Sequence, residues 1–351
     1  MTLQSQSARW GVLLIQLGTP DAPTTSACRR YLREFLLDPL VIDLPSPLRW
    51  LLVEGIIVPF RAPKSAKAYQ QIWTEKGSPL RFHSEKLREK IQKDLGDAIP
   101  VELGMRYGKP SLPNALWNLQ KMGVSHLLVC PLYPQYAGAS TGSSLSRVFE
   151  LLRQQWAVPA LKVVPPFFDE PFFIDALVQS AKETEEFHRS NLFLFSYHGL
   201  PERQIRRTDV TGTCAKSSNY NCCMTPGPHW NFCYRAQCLR TTEALKRSLN
   251  LSDDVTFIGF QSRLGRTPWI RPFTDEILIE LAAKFPGKNL AVFTPSFTAD
   301  CLETLEEIEI RGRESFQRAG GGSLSLIPAP NSSDRWASGL SAHLRRSMSE
   351  N

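Results

Sequence analysis

The ten residues Leu192-Phe-Leu-Phe-Ser-Tyr-His-Gly-Leu-Pro201 decide the fold class of this chain. The run up to Tyr197 is apolar without alternation, which is typical of a parallel strand buried on both faces. Seven further short apolar runs are separated by helical patterns, and many of them share this character; they span 11–17, 101–105, 126–131, 161–164, 256–260, 290–293 and 323–327. This alternation predicts parallel sheets that are covered by helices.

The strand–helix pattern begins again after Pro165-Pro166, and a length of 351 residues suits two domains. We therefore predict an α/β protein with one domain over residues 8–165 and a second over 166–346, whose last helix can cross back to the first. Residues 209–233 are rich in Thr, Ser, Asn, Gly, Pro and Cys and predict a loop inserted into the second domain. Ligands bind beyond the carboxyl ends of such strands, which directs attention to the ends after Leu17, Tyr197 and Phe293.

The formal charge of +7 predicts a surface that attracts anions, but no run of Lys and Arg is long enough to favour nucleic acid. The N-terminus lacks the cleavage site of a signal peptide, and no apolar stretch approaches the length of a membrane span. We expect a cytoplasmic protein, with peripheral contact at the inner membrane left open. The stretch Leu48–Phe60 is the candidate for that contact, the alternative being a core helix. The sequence leaves the oligomeric state open.

His198 follows its strand directly, and Gly199 allows the chain to turn. This order places an imidazole at the carboxyl edge of the second sheet. Imidazole titrates near neutrality and also ligates Fe²⁺, so it can act as a base or as a ligand. The alternative is a core histidine held by backbone groups.

A carboxylate pair follows the strand at 290–293. Glu303 and Glu307 are four residues apart in a predicted helix over 298–318 and would share a face. Such a pair can guide a divalent cation, and the alternative is a solvated acidic surface.

Two common nucleotide motifs are missing from the sequence. Gly18-Thr19-Pro20 stands after the first strand where Gly-x-Gly-x-x-Gly would be, and the segment 138–142 lacks the lysine of a phosphate loop. Enzymes that use nicotinamide cofactors or nucleoside triphosphates are therefore disfavoured.

A set of short segments, each weak alone, is specific in its joint order and spacing. The segments are Leu14-Ile-Gln-Leu-Gly-Thr-Pro20, Lys76-Gly-Ser-Pro79, Gly104-Met-Arg-Tyr-Gly108, Pro131-Leu-Tyr-Pro-Gln-Tyr136, Ser140-Thr-Gly-Ser143, Ser196-Tyr-His-Gly-Leu-Pro201, Phe260-Gln-Ser-Arg263, Pro268-Trp269, Thr274-Asp-Glu276 and Asp300-Cys-Leu-Glu-Thr-Leu305. Together they resemble the ferrochelatase family along nearly the whole chain.

The resemblance implies two Rossmann-like domains with a chelatase-like active-site cleft between them. It implies that His198 and Glu303 are the catalytic pair and contact the substrate Fe²⁺, with Glu307 on the path of the metal. Further cleft positions implied in the same way are Leu17, Arg61, Tyr69, Ser78, Arg106, Tyr136, Arg263 and Trp269. Of these, Arg61, Ser78 and Arg263 match partners of the porphyrin propionates, and a guanidinium suits a carboxylate.

The implied reaction is insertion of Fe²⁺ into protoporphyrin IX, with coproporphyrin III as the second choice. Two pyrrole protons must leave, so a base is needed near the ring centre, and a tight cleft can bend the ring. The alternatives are a chelatase for another metal or tetrapyrrole, and a porphyrin or haem carrier or sensor without turnover. Two positions depart from the family pattern: Tyr197 replaces the usual Phe, and Arg311 stands where the outer metal path has an acid.

Five of the eight cysteines crowd into one short segment. In a reducing compartment, clustered thiols favour metal binding over disulfides. Some ferrochelatases carry a [2Fe–2S] cluster, and the resemblance implies that the ligands here would be internal: Cys214, Cys222, Cys223 and Cys233. Four thiolates also suit Zn²⁺, although the usual Cys-x-x-Cys pairs are absent, and unligated thiols remain an alternative.

Overall fold

Two parallel four-stranded sheets form the framework of the protein in a computed structural model, which describes residues 8–216, 221–263, 265 and 267–350. The first sheet has the order β2-β1-β3-β4 and the second the matching order β6-β5-β7-β8. The strands are β1 (Trp10–Thr19), β2 (Val101–Gly108), β3 (His126–Pro131), β4 (Ala160–Val163), β5 (Leu192–His198), β6 (Thr256–Gln261), β7 (Leu290–Phe293) and β8 (Leu324–Leu326). The predicted α/β class with two parallel sheets is confirmed.

Helices cover both sheets. They are α1 (Thr25–Leu36), α2 (Ser46–Leu52), α3 (Val58–Ile72), α4 (Pro79–Leu95), α5 (Leu112–Lys121), α6 (Ser143–Arg153), α7 (Pro171–Glu183), α8 (Glu185–His188), α9 (Glu202–Thr208), α10 (Thr213–Lys216), α11 (Tyr234–Leu249), α12 (Thr274–Lys284), α13 (Arg313–Arg318) and α14 (Asp334–Ser349). π-helical turns occupy Val53–Ile57, Gly138–Gly142 and Leu302–Gly312, and 3₁₀ turns occupy Asn221–Met224, Pro228–Asn231 and Asp253–Val255.

The central strand β1 shows why the apolar runs are continuous. Val12 and Leu14 pack in one core cluster with α4, while Leu13 and Ile15 point to the opposite face and pack against α5 and α6. All four side chains are fully buried. A strand covered on both faces needs apolar residues at every position, which is what the sequence shows.

Three helices that the apolar periodicity predicts, over 63–73, 171–187 and 298–318, differ from the observed ones by four or more residues at one end or by a break. The helix predicted over 298–318 begins at Leu302, because Cys301 has extended backbone and the Thr304 hydroxyl accepts from its N–H at 3.0 Å. The helix predicted over 63–73 begins at Val58 and tolerates Pro63 in its interior. The helix predicted over 171–187 is interrupted at Thr184.

The C-terminal helix α14 joins the two halves. It packs against α7 and also against α4 of the first half. The Lys90 ammonium contacts the Asp334 carboxylate at 2.6 Å, and the Ser341 hydroxyl donates to Asp94 at 3.0 Å. The division at residues 165 and 166 stays a prediction, and four residues of the predicted 209–233 loop, 217–220, lie outside the described residues.

The stretch Leu48–Phe60 is helical and enters the core on one face only, through Val53 and Val58. It runs from α2 through the π-helical turn into α3, and five of its large apolar side chains face outward. Leu48, Trp50, Leu51, Ile56 and Phe60 are between 57% and 71% exposed. We call these five residues the apolar lip. In the part of the chain that the structure describes, no helix combines the length and apolarity needed to cross a membrane.

Candidate active site

An apolar cavity opens where the carboxyl ends of the two sheets face each other. It encloses about 990 Å³ of empty space, part of it continuous with solvent. The first half of the chain contributes Leu17, Tyr69 and Ser78, and the second half contributes His198 and Glu303. The two candidate catalytic residues therefore line one cavity, although more than a hundred residues separate them in the sequence.

His198 is the last residue of β5 and is oriented by the backbone. Its Nδ1 donates to the carbonyl oxygen of Gly199 at 2.6 Å, which leaves Nε2 as the acceptor. The N–H of Gly199 donates in turn to the carbonyl oxygen of Gln261 on β6 at 2.7 Å. A Cβ at position 199 would lie 2.7 Å from that oxygen, so only glycine allows this close approach. The turn after β5 thus fixes which imidazole nitrogen can accept a proton.

Glu303 is the second residue of the π-helical segment Leu302–Gly312. Its backbone carbonyl accepts from the side-chain amide of Gln261 at 2.8 Å. Gln261 is buried and lies opposite His198 in the β5–β6 register. One residue therefore ties the His198 turn to the start of the Glu303 segment. Sequence reasoning missed Gln261 as a functional residue, although it lies in the quoted segment 260–263.

The negative charge of Glu303 raises the pKa values of its neighbours in the cavity wall. Burial raises the pKa of Tyr69 well above its ordinary value, and the negative charge of Glu303 raises it further. Burial also raises the pKa of the Cys301 thiol, with Glu303 as the next cause. Both groups stay protonated at neutral pH, and the Cys301 thiol is hydrogen-bonded to the Glu303 carboxylate. Cys301 and Tyr31 both line the cavity, and neither was predicted as a site residue.

The other resemblance-derived positions do not line the cavity in this structure. Arg106 forms an ion pair with the buried Asp38, and its Nε donates to the Ser143 hydroxyl at 2.7 Å. Arg263 lies beside Asp275 at 2.7 Å and Glu276 at 3.1 Å. Carboxylates of the chain itself thus hold both guanidinium groups. Arg61 is exposed, Tyr136 packs edge-on against Phe232 at 5.2 Å, and Trp269 pairs with Pro201.

Glu307 lies farther along the same helical segment as Glu303. Its carboxylate accepts from the backbone N–H of Ser262 at 2.9 Å and from the Ser262 hydroxyl at 2.5 Å. The neighbouring Glu306 is paired with Arg311 at 2.8 Å. Both carboxylates therefore already have protein partners. Arg311, which stands where the family has an acid on the outer metal path, is the partner of Glu306.

The cysteine-rich loop lies directly before α11. Cys222, Cys223 and Cys233 are buried and Cys214 is half-buried. A hydrogen bond from the Cys233 thiol lowers the pKa of Cys223 to about 6, assisted by Arg235, while burial and the charge of Cys222 raise the pKa of Cys214 to about 11. The four sulfur atoms thus interact with one another. No three His, Cys, Asp or Glu side chains among the described residues are nevertheless arranged to hold one ion.

The fold is also that of a solved metal-bound protein. SirB from Bacillus subtilis, solved with Fe³⁺, superposes with a TM-score of 0.51 at 11% identity and covers 78% of this chain and 92% of its own. A relative in Coxiella burnetii (strain Dugway 5J108-111), named ferrochelatase, is 46% identical over 96% of this chain and 94% of its own length. A second relative of that name, in Legionella pneumophila (strain Paris), is 45% identical over 93% of this chain and 96% of its own length.

The protein has two Rossmann-like halves around an apolar cavity, and its relatives are named ferrochelatase. Together, these findings identify it as a porphyrin metal chelatase. The model of the Ferrochelatase family matches residues 9–348, which is nearly the whole chain. The chain belongs to the ferrochelatase family.

Proposed function

We propose that this enzyme inserts Fe²⁺ into protoporphyrin IX and releases two protons, forming haem. The observation that carries the proposal is the convergence of an acceptor imidazole nitrogen and a carboxylate, His198 and Glu303, in one apolar cavity. Insertion forms four Fe–N bonds and breaks two pyrrole N–H bonds, so a base that accepts protons must stand near the ring centre. A flat apolar ring suits the cavity wall, which carries Leu17, Leu200 and Phe297.

In this proposal, Nε2 of His198 accepts a pyrrole proton. Glu303 lines the same cavity and stabilises the imidazolium that results, or relays its proton to solvent. The protonated Tyr69 phenol and Cys301 thiol beside Glu303 limit where that proton can go, because burial keeps both groups neutral. Leu17 faces the macrocycle from the first half of the chain.

Protoporphyrin IX is preferred over coproporphyrin III because of charge. Among the described residues that line the cavity there is no Lys or Arg. Coproporphyrin III carries four propionates and protoporphyrin IX carries two, and an anionic carboxylate in an apolar cavity without a cation is costly. The ring with fewer carboxylates is the better match.

The direct test is an anaerobic assay of Fe²⁺ insertion into each porphyrin, followed by the change in the Soret band. The proposal requires turnover with Fe²⁺ and a higher kcat/KM for protoporphyrin IX. Turnover only with Co²⁺ or Ni²⁺ would indicate a different chelatase. A Soret shift on porphyrin binding without any metal insertion would indicate a carrier or sensor and would overturn the proposal.

We further propose that Cys214, Cys222, Cys223 and Cys233 hold a [2Fe–2S] cluster. The supporting observations are the mutual interaction of these thiols, their burial, and the low pKa of Cys223 beside Arg235, since the thiolate is the form that ligates iron. Four cysteine thiolates are the usual ligands of such a cluster, which when bound supplies one-electron redox chemistry. His198 and Glu303 account for insertion without it.

Protein purified without oxygen is expected to be coloured and to contain about two iron and two sulfide per chain. Cys223→Ser should abolish both. Cys238→Ala is the matched control, because Cys238 is a fully buried thiol in the following helix and should leave the cluster intact. Stoichiometric zinc in a colourless protein would assign the site to Zn²⁺, and protein without either metal would refute the cluster.

The apolar lip is proposed to dock the cavity mouth on an anionic membrane surface. Five large apolar side chains exposed on one helical stretch form a patch typical of an interaction site, and the net positive charge favours anionic lipid. Protoporphyrin partitions into such a surface, so docking would shorten its path to the cavity.

Replacing Phe60 by Gln is expected to weaken binding to phosphatidylglycerol vesicles by about tenfold to a hundredfold, because an aromatic side chain contributes roughly 1.5–3 kcal/mol on burial. Co-sedimentation in low salt measures this. Trp156→Gln is the control, since Trp156 is equally large and fully exposed but lies elsewhere, between α6 and β4. Equal effects of the two variants, or no sedimentation of the unaltered protein, would contradict lip docking.

A further inference from the structure

Tyr234 connects the cysteine-rich loop to the edge that carries His198. It is the first residue of α11, follows Cys233 directly, is 5% exposed and lines the cavity. Its hydroxyl donates to the backbone carbonyl oxygen of His198 at 2.8 Å. The hydroxyl of Ser296 lies 2.8 Å away and acts as donor to Tyr234, because a phenol has only one proton to give. One side chain thus joins the end of β5 to the segment after β7.

This bond acts on the peptide unit that orients the imidazole. The carbonyl of His198 is held by Tyr234, and the N–H of Gly199, in the same peptide unit, is held by Gln261 at 2.7 Å. The next carbonyl, that of Gly199, receives Nδ1 of His198 at 2.6 Å. Without the Tyr234 hydroxyl, the peptide unit would keep only its N–H anchor and could rotate, and the imidazole would move with it.

The cysteine-rich loop determines where α11 begins. Gln237, one turn into this helix, donates to the loop carbonyls of Trp230 and Asn231 at 3.1 Å and 2.9 Å. The side-chain oxygen of Gln237 accepts from the backbone N–H of Tyr136 in the first half of the chain at 2.7 Å. The first turn of α11 is therefore bonded to the loop on one side and, on the other, to Tyr136, whose neighbours Gln135 and Ala137 line the cavity.

We propose that Tyr234 is a positioning residue for metal insertion, which holds the imidazole of His198 through the His198 carbonyl, and that the cysteine-rich loop fixes Tyr234 through the start of α11. The proposal rests on the proposed function. It gives the loop a mechanical route to the insertion chemistry that requires no electron transfer.

Tyr234→Phe tests the first part of the proposal. The ring is kept and only the hydroxyl is lost, so kcat for Fe²⁺ insertion is expected to fall about tenfold, which corresponds to about 1.4 kcal/mol in the barrier, while KM for porphyrin stays within about twofold. Tyr197→Phe is the matched control, because its hydroxyl is also buried but bonds to the Thr242 hydroxyl of α11 at 2.8 Å instead of to the His198 carbonyl. Unchanged kcat in Tyr234→Phe, or equal losses in both variants, would overturn the positioning role.

A second readout does not depend on turnover. The rate at which diethyl pyrocarbonate modifies His198, measured by peptide mass spectrometry, should rise severalfold in Tyr234→Phe and remain unchanged in Tyr197→Phe. If the unaltered protein fails to insert metal yet shows this difference, the proposed function is wrong while the positioning role stands. An unchanged modification rate in a variant of unaltered Tm would overturn the positioning role by itself.

A double-mutant cycle tests the link to the loop. Cys233→Ser should lower kcat in the unaltered background but by less than about twofold in the Tyr234→Phe background, since the route it acts through is already broken. If the losses in kcat of the two single variants multiply in the double variant, the loop acts on His198 by another route. That result would overturn the second part of the proposal.

Discussion

Alanine in place of His198 is expected to lower kcat for Fe²⁺ insertion about a thousandfold, within the range that a positioned proton acceptor contributes. The reason is geometric: Gly199 fixes Nδ1 as the donor, so the lost Nε2 is the nitrogen able to accept a pyrrole proton. Binding of protoporphyrin should persist, because the apolar wall is unaltered. The measurement is kcat under anaerobic conditions together with porphyrin affinity from fluorescence quenching.

His188→Ala is the control for the His198 variant. That side chain is exposed in α8 and bonds to the carbonyl of Lys182, far from the cavity lining, so kcat should be unchanged. A His198→Ala enzyme that retained full turnover would remove the imidazole from the mechanism.

The second large effect is expected for Glu303→Gln, with kcat about a hundredfold lower. The substitution keeps the shape and removes the charge, so the loss would reflect the carboxylate's support of an imidazolium rather than packing. Because the Glu303 charge contributes to the raised pKa values of Cys301 and Tyr69, both pKa values should fall in the variant. Faster alkylation of Cys301 at alkaline pH would report this change independently of turnover.

Glu309→Gln is the matched control for Glu303. Glu309 lies on the same π-helical segment but forms a surface pair with Arg313 at 3.1 Å, which contributes little. If the two variants lost activity equally, or Glu303→Gln kept its kcat, the carboxylate could not have the assigned role.

The strands were predictable because burial on both faces leaves a local signature. The limits of β3 and β7, His126–Pro131 and Leu290–Phe293, match the prediction residue for residue. The helix over 298–318 was placed too early, because its true start is decided by the extended backbone at Cys301 and by the Thr304 hydroxyl. Apolar periodicity carries no information about such a cap.

The candidate site was predictable only in part. His198 and Glu303 were placed at strand ends by local pattern and by resemblance, and both line the cavity. Arg106 and Arg263 were expected at the porphyrin by resemblance, yet Asp38 and Asp275 hold them here. A guanidinium in a sequence does not reveal which carboxylate it will meet, because that depends on elements distant in the chain.

By itself, the sequence determined the eight strands, the division of polar and apolar character along them, and membership of the ferrochelatase family, since each of these depends on local order and spacing. Only the tertiary structure decided that His198 and Glu303 face one cavity and that Gln261 and Tyr234 hold the turn after His198. It also decided that the Leu48–Phe60 stretch buries one face and exposes five large apolar side chains on the other. The physical reason is that burial is encoded residue by residue, whereas a shared cavity depends on strand order and on hydrogen bonds between segments that the chain keeps far apart.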